Sequence, residues 1–551
     1  MQWQTHEVTN QVPQLQDYNL FTTDVALTQG IQRAQAAWHA EALTQFGAEL
    51  GSQAVLELGE LANRHAPELH THDRNGQRID MVEFHPSWHA LLALLRKENL
   101  HALPWMQPRP GAQAARAAGY FLQSQVESGS LCPTTMTFAA IPVLQNETAL
   151  FATLQAKLFS SQHDARDLPL AHKHSILIGM GMTEKQGGSD LRGNTTRARP
   201  LSGIGRGADY ALTGHKWFFS APMCDAHLVL ARTDPGLSCF FVPRWQPDGS
   251  KNSVLIQRLK DKLGNRSNSS AEVEFQDAYG IMIGEEGRGI PTIIEMANTT
   301  RLDCVIGSAA LMRQAFVQAA HHARHRSAFG RPLAAQPLMR NVLADLALES
   351  EAATLLMLHL ASACEQSQDQ PQNPLQHGWQ RIMTPAAKFW ICKRTLEFCG
   401  ECMEVWGGNG YVESGPMARM YREAPVNSIW EGSGNVMCLD VLRAIARETE
   451  EFHLLLGDLQ QAAAAHPVLQ RMMQALRCDL MLPPEQHEAL ARRLVQRLVL
   501  LAQGALMLRH APTPIAEAFI ASRCDTESGR VYGTLATAAA QTAILERAWP
   551  V

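Results

Sequence analysis

The chain has 551 residues and a formal net charge of -5, so it is long enough for several domains or one large enzyme subunit. Hydrophobic residues make up 46% of it and charged residues 18%, which is typical of an ordinary soluble globular protein. The negative net charge excludes a global basic field for nucleic acid but leaves room for a local basic patch.

Cysteine usage and the N-terminal sequence bear on the compartment. Eleven cysteines without the spacing of a disulfide framework indicate reduced thiols. Cys399 and Cys402 form a lone C-x-x-C in a helical pattern, where core packing is favoured over zinc or redox chemistry. The N-terminus lacks the basic and apolar regions of a signal peptide, and the longest apolar run, 498–508, is too short to span a bilayer. We expect a cytoplasmic protein with neither a membrane partner nor a metal site.

Residues 1–177 are predicted to form an N-terminal helical domain. Apolar residues recur at helical spacing in three stretches, 36–50, 88–95 and 112–125. The Asn75-Gly76 pair interrupts them and is a strong signal for a two-residue hairpin turn. Two interpretations stay open, a β-hairpin arm that reaches over a neighbour and a surface loop.

Residues 178–285 are predicted to form a small antiparallel β-domain. Four short runs rich in β-forming residues indicate strands, at 176–182, 226–231, 238–242 and 271–275. Turn signals such as Asp234-Pro-Gly and Asp248-Gly249 lie between the runs.

Helical periodicity returns in residues 286–445 and continues to the end of the chain. Three long stretches, 290–326, 333–365 and 375–406, and a fourth after Gly434 predict an antiparallel bundle. Residues 446–551 are predicted to form an extra C-terminal helical domain, with helices at 454–463, 468–476, 485–509 and 515–522. The expected fold class is therefore mainly α with a small β-domain.

Two Gly-rich segments are the strongest candidates for a functional site. In 427–435 a single carboxylate, Glu431, lies in an otherwise uncharged stretch, where burial would raise its pKa and make it a better base near neutral pH. Gly432 and Gly434 let a ligand approach the backbone closely, and their N–H groups can face a phosphate. The alternative for either segment alone is a Gly-rich turn between helices. Together with the second segment, 406–411, the pattern is more specific.

Three blocks of sequence carry a resemblance to a known family. They are Gly407–Gly410 with Tyr421-Arg-Glu and Trp430–Gly432, Met182–Asp190 with Gly214–Ser220, and Arg326–Gly330 with Gln336. These blocks resemble the acyl-CoA dehydrogenases over about residues 100–445. The N-terminal extension, the Trp-Glu-Gly-Ser-Gly-Asn loop and the extra C-terminal domain are most similar to members of the bacterial adaptive response to DNA alkylation.

The resemblance implies a flavoprotein that binds FAD, with its cofactor contacts on all three blocks. In the family, the positions of Met182, Thr183, Phe218, Phe219 and Ser220 lie at the flavin ring. The implied cofactor-binding residues are Met182, Thr183, Gly188, Ser189, Phe218, Phe219, Ser220, Arg326, Phe329, Gln336, Gly407, Gly408, Trp430, Ser433 and Asn435. This chain has Phe218 where many members have Trp, and Glu404 where they usually have Gln.

The resemblance also implies an assembly and a reaction. In the family, Arg326, Phe329 and Gln336 match residues that reach the ADP part of FAD in the adjacent subunit, which implies a homo-oligomer, a dimer of dimers. The implied reaction is α,β-dehydrogenation of an acyl-CoA, with Glu431 as the catalytic base. Some members place the base at the position of Thr300, which cannot serve as one.

Arginines late in the chain suggest a second role. Residues 471–509 contain six arginines and three acids, and an arginine cluster is a candidate footprint for phosphate. The candidate DNA-binding residues are Arg443, Arg447, Arg492, Arg493 and Arg497. A solvated helix face is the commoner explanation of such a cluster.

Two function classes therefore stay open. The first, which we expect, is a flavoprotein of the DNA alkylation response that binds and protects double-stranded DNA and has weak residual acyl-CoA dehydrogenase activity. The alternative is a purely metabolic dehydrogenase or oxidase of an acyl-CoA or similar small molecule, with no DNA role.

Overall fold

A computed structural model of the chain describes residues 3–370, 372–525, 529–536 and 539–550. They divide into two compact units. Unit 1 comprises residues 1–53, 113–125 and 304–551, and unit 2 comprises residues 54–112 and 126–303. Each unit combines pieces of several predicted domains, so the four domain boundaries stay a prediction.

Helices account for most of the described chain. They are α1 (Val25–Arg33), α2 (Ala40–Leu50), α3 (Gln53–Arg64), α4 (Pro86–Lys97), α5 (Leu103–Met106), α6 (Ala112–Ser124), α7 (Leu131–Gln145), α8 (Thr148–Leu158), α9 (Gly289–His325), α10 (Pro337–Asp369), α11 (Pro374–Gly378), α12 (Thr384–Val405), α13 (Pro416–Glu423), α14 (Gly434–Arg447), α15 (Thr449–Ala463), α16 (Pro467–Leu480), α17 (Pro484–His510), α18 (Thr513–Arg523) and α19 (Gln541–Ala548). One π-helical turn, Trp379–Met383, links α11 to α12. Each predicted helical stretch lies on one or more of these helices.

Unit 2 contains a seven-stranded sheet and a separate hairpin. The strands are β1 (Glu68–His72), β2 (Arg78–Glu83), β3 (Ile178–Gly181), β4 (Arg197–Ser202), β5 (Asp209–Ser220), β6 (Ala226–Thr233), β7 (Gly236–Pro243), β8 (Val254–Leu259) and β9 (Ser270–Ile283), and in unit 1 the short pair β10 (Ser327–Ala328) and β11 (Arg331–Pro332). The sheet order is β3-β6-β4-β5-β9-β7, with β8 on β9. Because β6 also pairs with β7, the strands close on themselves. Most pairs are antiparallel, and β3–β6 and β4–β6 are parallel.

The predicted β-hairpin around Asn75-Gly76 is confirmed, but its loop is longer than the predicted two residues, because β1 ends at His72 and β2 begins at Arg78. Gly76 has φ +80°, a conformation that costs glycine little, and β1 pairs antiparallel with β2. Arg78 Nη2 donates to the carbonyl oxygen of Ile256 at 2.8 Å. The hairpin therefore packs against strand β8 of its own chain rather than standing free as a loop.

Unit 1 has a helical core in which α10 is central. Residues on every side of α10 are buried between Leu343 and Ala363, as expected for a helix surrounded by other helices. Cys399 and Cys402 are fully buried on α12, and burial raises the pKa of both thiols. The predicted fold class, mainly α with a small β-domain, is confirmed.

The C-terminal segment is fixed to the core by a buried carboxylate. Glu349 on α10 accepts hydrogen bonds from Arg394, Arg523 and Tyr532. Burial alone would raise the pKa of Glu349, but the neighbouring guanidinium of Arg394 holds that pKa at about 2. Tyr532, which follows α18 in the sequence, is thus part of the packing of unit 1. In the described part of the chain, no helix is both long enough and apolar enough to cross a membrane.

Candidate active site

Glu431 lies in a loop whose backbone is held in an unusual conformation. Its φ is +58°, a backbone angle that residues other than glycine rarely adopt. Gly432 follows with φ +109°, and Lys388 Nζ on α12 donates to its carbonyl oxygen at 2.7 Å. Trp430 Nε1 donates to Asn427 Oδ1 at 2.9 Å. The loop is therefore supported on both sides of Glu431, which is itself partly buried.

The start of α14 continues this loop and packs closely on α12. A side chain at Gly434 would place its Cβ 2.9 Å from Lys393 Cε and 3.3 Å from Phe389 Cδ2. Ser433 is the N-cap residue and is exposed. Asn435, also exposed, accepts a hydrogen bond from Arg492 Nε at 2.8 Å. The structure thus joins a predicted DNA-binding arginine to a predicted cofactor-binding asparagine.

The second Gly-rich segment presents open backbone. Gly407 has φ +60°, and in the described structure no heavy atom apart from the adjoining backbone and neighbouring residues lies within 4 Å of the Cβ position of Gly407 or Gly408. The ring of Trp406 stacks on His322 with centroids 4.7 Å apart. Glu404, which departs from the family pattern, is exposed on α12. The backbone at 407–408 is therefore accessible to a ligand.

Arg326, Phe329 and Gln336 lie around the short β10–β11 hairpin. Phe329 and Gly330 form its turn with φ +52° and +79°, and the Phe329 side chain is 96% exposed. Gln336 Nε2 donates to Ala328 O at 3.0 Å, and the Arg326 guanidinium donates to Asn10 O. The hairpin thus holds an apolar ring outward beside a guanidinium.

In unit 2, the predicted flavin-ring residues meet between β5 and the chain after β3. Trp217 N–H donates to Thr183 O at 2.9 Å, and Phe218 N–H donates to Thr183 Oγ1 at 3.1 Å. Phe218 is 54% exposed. Thr183 also packs against Gly188, whose Cβ would lie 2.8 Å from Thr183 Cγ2. Met182 is partly buried and Ser189 exposed.

Phe219 requires a correction. Its side chain is fully buried and stacks on His227 with ring centroids 4.0 Å apart. Successive side chains of a strand point to opposite faces, so Phe218 and Phe219 cannot both present their rings to one ligand. Phe219 belongs to the core of the sheet, and only Phe218 offers an exposed ring. Ser220 ends β5 and is partly buried.

Sequence reasoning missed the ion pair that supports this loop. Lys216 Nζ lies 2.8 Å from Glu184 Oε1, and both side chains are fully buried. Burial lowers the pKa of Lys216 to about 8, against the opposing effect of Glu184. Burial alone would raise the pKa of Glu184, but Lys216 and nearby hydrogen bonds lower that pKa. Asn194 Nδ2 also donates to Met182 O at 2.8 Å. Glu184 and Lys216 lie in two of the sequence blocks that carry the family resemblance, but they are 32 positions apart, and neither block shows that the two charges form a pair.

The remaining arginine candidates have partners of their own. Arg493 Nη2 lies 2.6 Å from Asp479 Oδ1, and Arg497 binds the same carboxylate. Arg443 Nη1 is 3.5 Å from Asp440 Oδ1, with its side chain 57% exposed, and Arg447 is exposed at the end of α14. Arg493 and Arg497 thus share one aspartate, whose single negative charge offsets one of their two positive charges, and their DNA contact stays a prediction.

The residues present fit FAD by their chemistry. A guanidinium, open glycine backbone and the first N–H groups of α14 can hold a pyrophosphate. An exposed flat ring at Phe218 beside the hydroxyl of Thr183 suits a heteroaromatic ring that also accepts hydrogen bonds. Together with the helical core and closed sheet, these features define an acyl-CoA dehydrogenase-type flavoprotein.

Comparison with known families agrees with this class. Three family models match the chain: the N-terminal domain of the adaptive response protein AidB at residues 10–165, the acyl-CoA dehydrogenase middle domain at 179–278, and the acyl-CoA dehydrogenase C-terminal domain at 287–446. The chain belongs to the acyl-CoA dehydrogenase family, in its AidB branch, and is an FAD-dependent oxidoreductase of that type.

Individual relatives extend the match over nearly the whole chain. AidB of Escherichia coli K12 is 49% identical over 531 residues, 96% of each chain. Acyl-CoA dehydrogenase family member 11 of Caenorhabditis elegans is 28% identical, over 89% of this chain and 82% of its own. The solved apo form of Bd2924 superposes with TM-score 0.83 at 28% identity, over 91% of this chain and all of the other.

Proposed function

We propose that the chain catalyses α,β-dehydrogenation of an acyl-CoA thioester, with Glu431 as the base. The observation that carries this proposal is the backbone of Glu431, which has φ +58° in a loop held by Lys388. A residue other than glycine with such a backbone conformation costs on the order of 1–3 kcal/mol, and residues strained in this way cluster at functional sites. A carboxylate displayed at that cost is better explained by catalysis than by capping.

The chemistry requires two hydrogens to leave neighbouring carbons of the acyl chain. Glu431 accepts the α-proton on a carboxylate oxygen, the β-carbon loses its hydrogen with both bonding electrons, and a C=C bond forms between them. FAD, when bound, supplies the acceptor for those two electrons. The strained loop orients the Glu431 carboxylate before substrate arrives, so less of the binding energy is needed to place it.

The test is flavin bleaching by a panel of acyl-CoAs under anaerobic conditions. Glu431→Gln keeps the shape but cannot accept the proton, so bleaching should slow by about a hundredfold or more while FAD stays bound. Glu450→Gln, at an exposed acid on α15, is the matched control and should bleach like the wild type. Equal bleaching by wild type and Glu431→Gln would place the base elsewhere.

We propose further that the protein is a homo-oligomer, a dimer of dimers, in which Arg326, Phe329 and Gln336 serve the FAD of a neighbouring subunit. The support is the Phe329 ring, an apolar group 96% exposed at the tip of the short β10–β11 hairpin. Arg326→Ala should weaken FAD retention and assembly together, measured by sedimentation velocity and flavin absorbance. Arg331→Ala, on the same hairpin, is the control. A monomer that keeps FAD would contradict this arrangement.

A second proposed role is membership of the DNA alkylation response, by binding double-stranded DNA and protecting it. Two observations favour it: the match to the N-terminal domain of an adaptive response protein, and the exposed Arg443 and Arg447, which are four residues apart and share one face of α14. Phosphate contacts release counterions, so DNA affinity should fall steeply as salt rises.

The DNA test uses the full chain, because Arg523 and Tyr532 pack on the core through Glu349 and a truncation would expose it. Arg443→Ala/Arg447→Ala should reduce both DNA affinity and the salt slope. Arg197→Ala/Arg199→Ala removes the same charge from strand β4 and serves as control. If both double variants retain the wild-type slope, the α14 face does not bind DNA, and the metabolic enzyme becomes the better proposal.

A further inference from the structure

A contact between the extra C-terminal region and the Glu431 loop has no counterpart in the sequence signature. Arg492 lies on α17, well beyond residue 446, where the match to the acyl-CoA dehydrogenase C-terminal domain ends. Its Nε donates to Asn435 Oδ1 at 2.8 Å, and its guanidinium carbon lies 5.9 Å from the centre of the Phe389 ring. Asn435 is the second residue of α14, four positions after Glu431.

The chemistry of the two side chains fixes the orientation of the amide. A guanidinium has five N–H donors and no acceptor, so the group that faces Arg492 must be the amide oxygen. Oxygen and nitrogen of an amide are assigned from such partners, and here the partner allows one assignment. The Nδ2 amino group of Asn435 is consequently turned away from Arg492, where it can only donate. Asn435 is exposed, so those N–H groups are accessible to a ligand.

Arg492 holds the Asn435 side chain, whereas other contacts hold the backbone around it. On the α12 side, the close approach of Gly434 to Lys393 and Phe389 and the bond from Lys388 to Gly432 hold the backbone. They do not act on the Asn435 side chain. Arg492 alone among these cations bonds the amide, and it is itself placed over Phe389, which is buried on α12.

We infer that Arg492 is a positioning residue of the cofactor site, which holds Asn435 as a hydrogen-bond donor toward an acceptor oxygen of FAD. The inference rests on the proposed cofactor contact of Asn435 and assigns the extra C-terminal region a part in cofactor binding. The match to the acyl-CoA dehydrogenase C-terminal domain, residues 287–446, does not include Arg492. In this chain, the donor geometry of Asn435 depends on α17.

Equilibrium FAD affinity, measured by flavin fluorescence on apoprotein titrated with FAD, tests the inference without any turnover. Loss of one hydrogen bond that fixes a donor should weaken binding by about tenfold in Arg492→Ala and in Asn435→Ala. The double variant should bind FAD no more weakly than Asn435→Ala alone, since the two residues act through one contact. Arg492→Lys keeps the charge but not the planar fork and should bind like Arg492→Ala. Arg477→Ala, at an exposed arginine on α16, should match the wild type.

Asn435→Asp separates positioning from folding. The carboxylate still accepts from Arg492 and suits the first turn of α14, where negative charge is favourable, so the thermal midpoint of the apoprotein should not fall. It cannot donate at neutral pH, so FAD affinity should still drop by about tenfold or more. Wild-type affinity in Asn435→Asp, full rescue by Arg492→Lys, or additive losses in the double variant would each overturn the inference. Unchanged affinity in Asn435→Ala would instead remove Asn435 from the cofactor site and refute the proposed contact itself.

Discussion

The buried Lys216–Glu184 pair predicts an asymmetry between its two members. Glu184 accepts from Lys216 at 2.8 Å, and also from Thr195 N–H at 2.7 Å, Thr196 N–H at 3.1 Å and Gln186 Nε2 at 2.7 Å. Lys216, in contrast, has Glu184 and, at 3.5 Å, the carbonyl oxygen of Met182. Removing Lys216 leaves the Glu184 carboxylate with its other hydrogen-bond donors. Removing Glu184 leaves the Lys216 ammonium group with a single distant acceptor, the carbonyl oxygen of Met182.

The magnitudes follow from the cost of neutralising the stranded group. In Glu184→Leu, Lys216 escapes by losing its proton, which at pH 7 costs about 4.6 kcal/mol for an ordinary pKa near 10.4. In Lys216→Met, protonation of Glu184 at pH 7 sets an upper limit of about 3.7 kcal/mol. The remaining hydrogen bonds reduce this loss to about 1–3 kcal/mol. The penalty of Glu184→Leu should shrink by about 1.4 kcal/mol between pH 7 and pH 8, since a lysine is easier to neutralise at higher pH. Above pH 8 the penalty should change little, because Lys216 of the wild type, whose pKa burial lowers to about 8, then loses its proton as well.

Hydrogen exchange of the backbone amides in 182–196 is the appropriate assay, because a chain of several units does not unfold in two states and local opening is what the pair controls. Lys251→Met, which removes a partner of the more exposed Asp167, should change exchange in 182–196 by less than about 1 kcal/mol. The reasoning is refuted if Lys216→Met loosens this loop as much as Glu184→Leu at pH 7. It also fails if the Glu184→Leu penalty does not shrink between pH 7 and pH 9.

Three further outcomes are expected. Phe219→Ala should cost about 3–5 kcal/mol of stability as a core truncation, seen as a lower thermal midpoint, whereas Phe218→Ala should lower FAD affinity and leave the midpoint nearly unchanged. Burial lowers the pKa of His227 to about 3, so the unfolded chain binds a proton between about pH 6.5 and pH 3 that the folded chain excludes. The free energy of unfolding should then fall by about 1.4 kcal/mol per pH unit of acidification. In His227→Phe one proton fewer is bound on unfolding, so the thermal midpoint should fall less steeply with acidification. In Gly432→Ala, φ +109° disfavours the side chain and its Cβ would lie 2.5 Å from Met437 Cε, so bleaching by acyl-CoA should slow by about a hundredfold in a folded protein.

The helices could be predicted closely because their signals are local. The stretch 468–476 lies within α16, which Pro467 opens, and proline is favoured in the first turn of a helix. The strands were harder. The runs at 226–231 and 238–242 lie on β6 and β7, whose side chains are nearly all buried. Strand β4 is mostly exposed, so no apolar alternation marks it, and what makes it a strand is pairing with β5.

The same division separates the site residues that could be predicted from those that could not. Glu431, Arg326 and Thr183 stand in short motifs, and a motif can be recognised without knowing the fold. The side chains that hold their loops come from elsewhere in the chain. Lys388 bonds Gly432, next to Glu431, and Lys216 bonds Glu184, next to Thr183. Their roles depend on tertiary packing, which no spacing in the sequence encodes.

The two roles proposed for this protein meet on one helix, and this changes how variants must be interpreted. Asn435 stands at the start of α14 and Arg447 at its end, about 18 Å apart at the rise of an α-helix. A cation in the last turn of a helix stabilises that helix by about 0.3–1 kcal/mol through its interaction with the helix dipole. This stabilisation accounts for an arginine at position 447 without any contact to DNA. Arg492 is occupied with Asn435, so a loss of DNA affinity on its removal could arise through altered FAD binding. A phosphate contact is therefore demonstrated only by a variant that lowers the salt slope, by about 0.9 per lost contact, while FAD affinity stays at the wild-type value. Arg443 and Arg447 can meet both conditions, and Arg492 cannot.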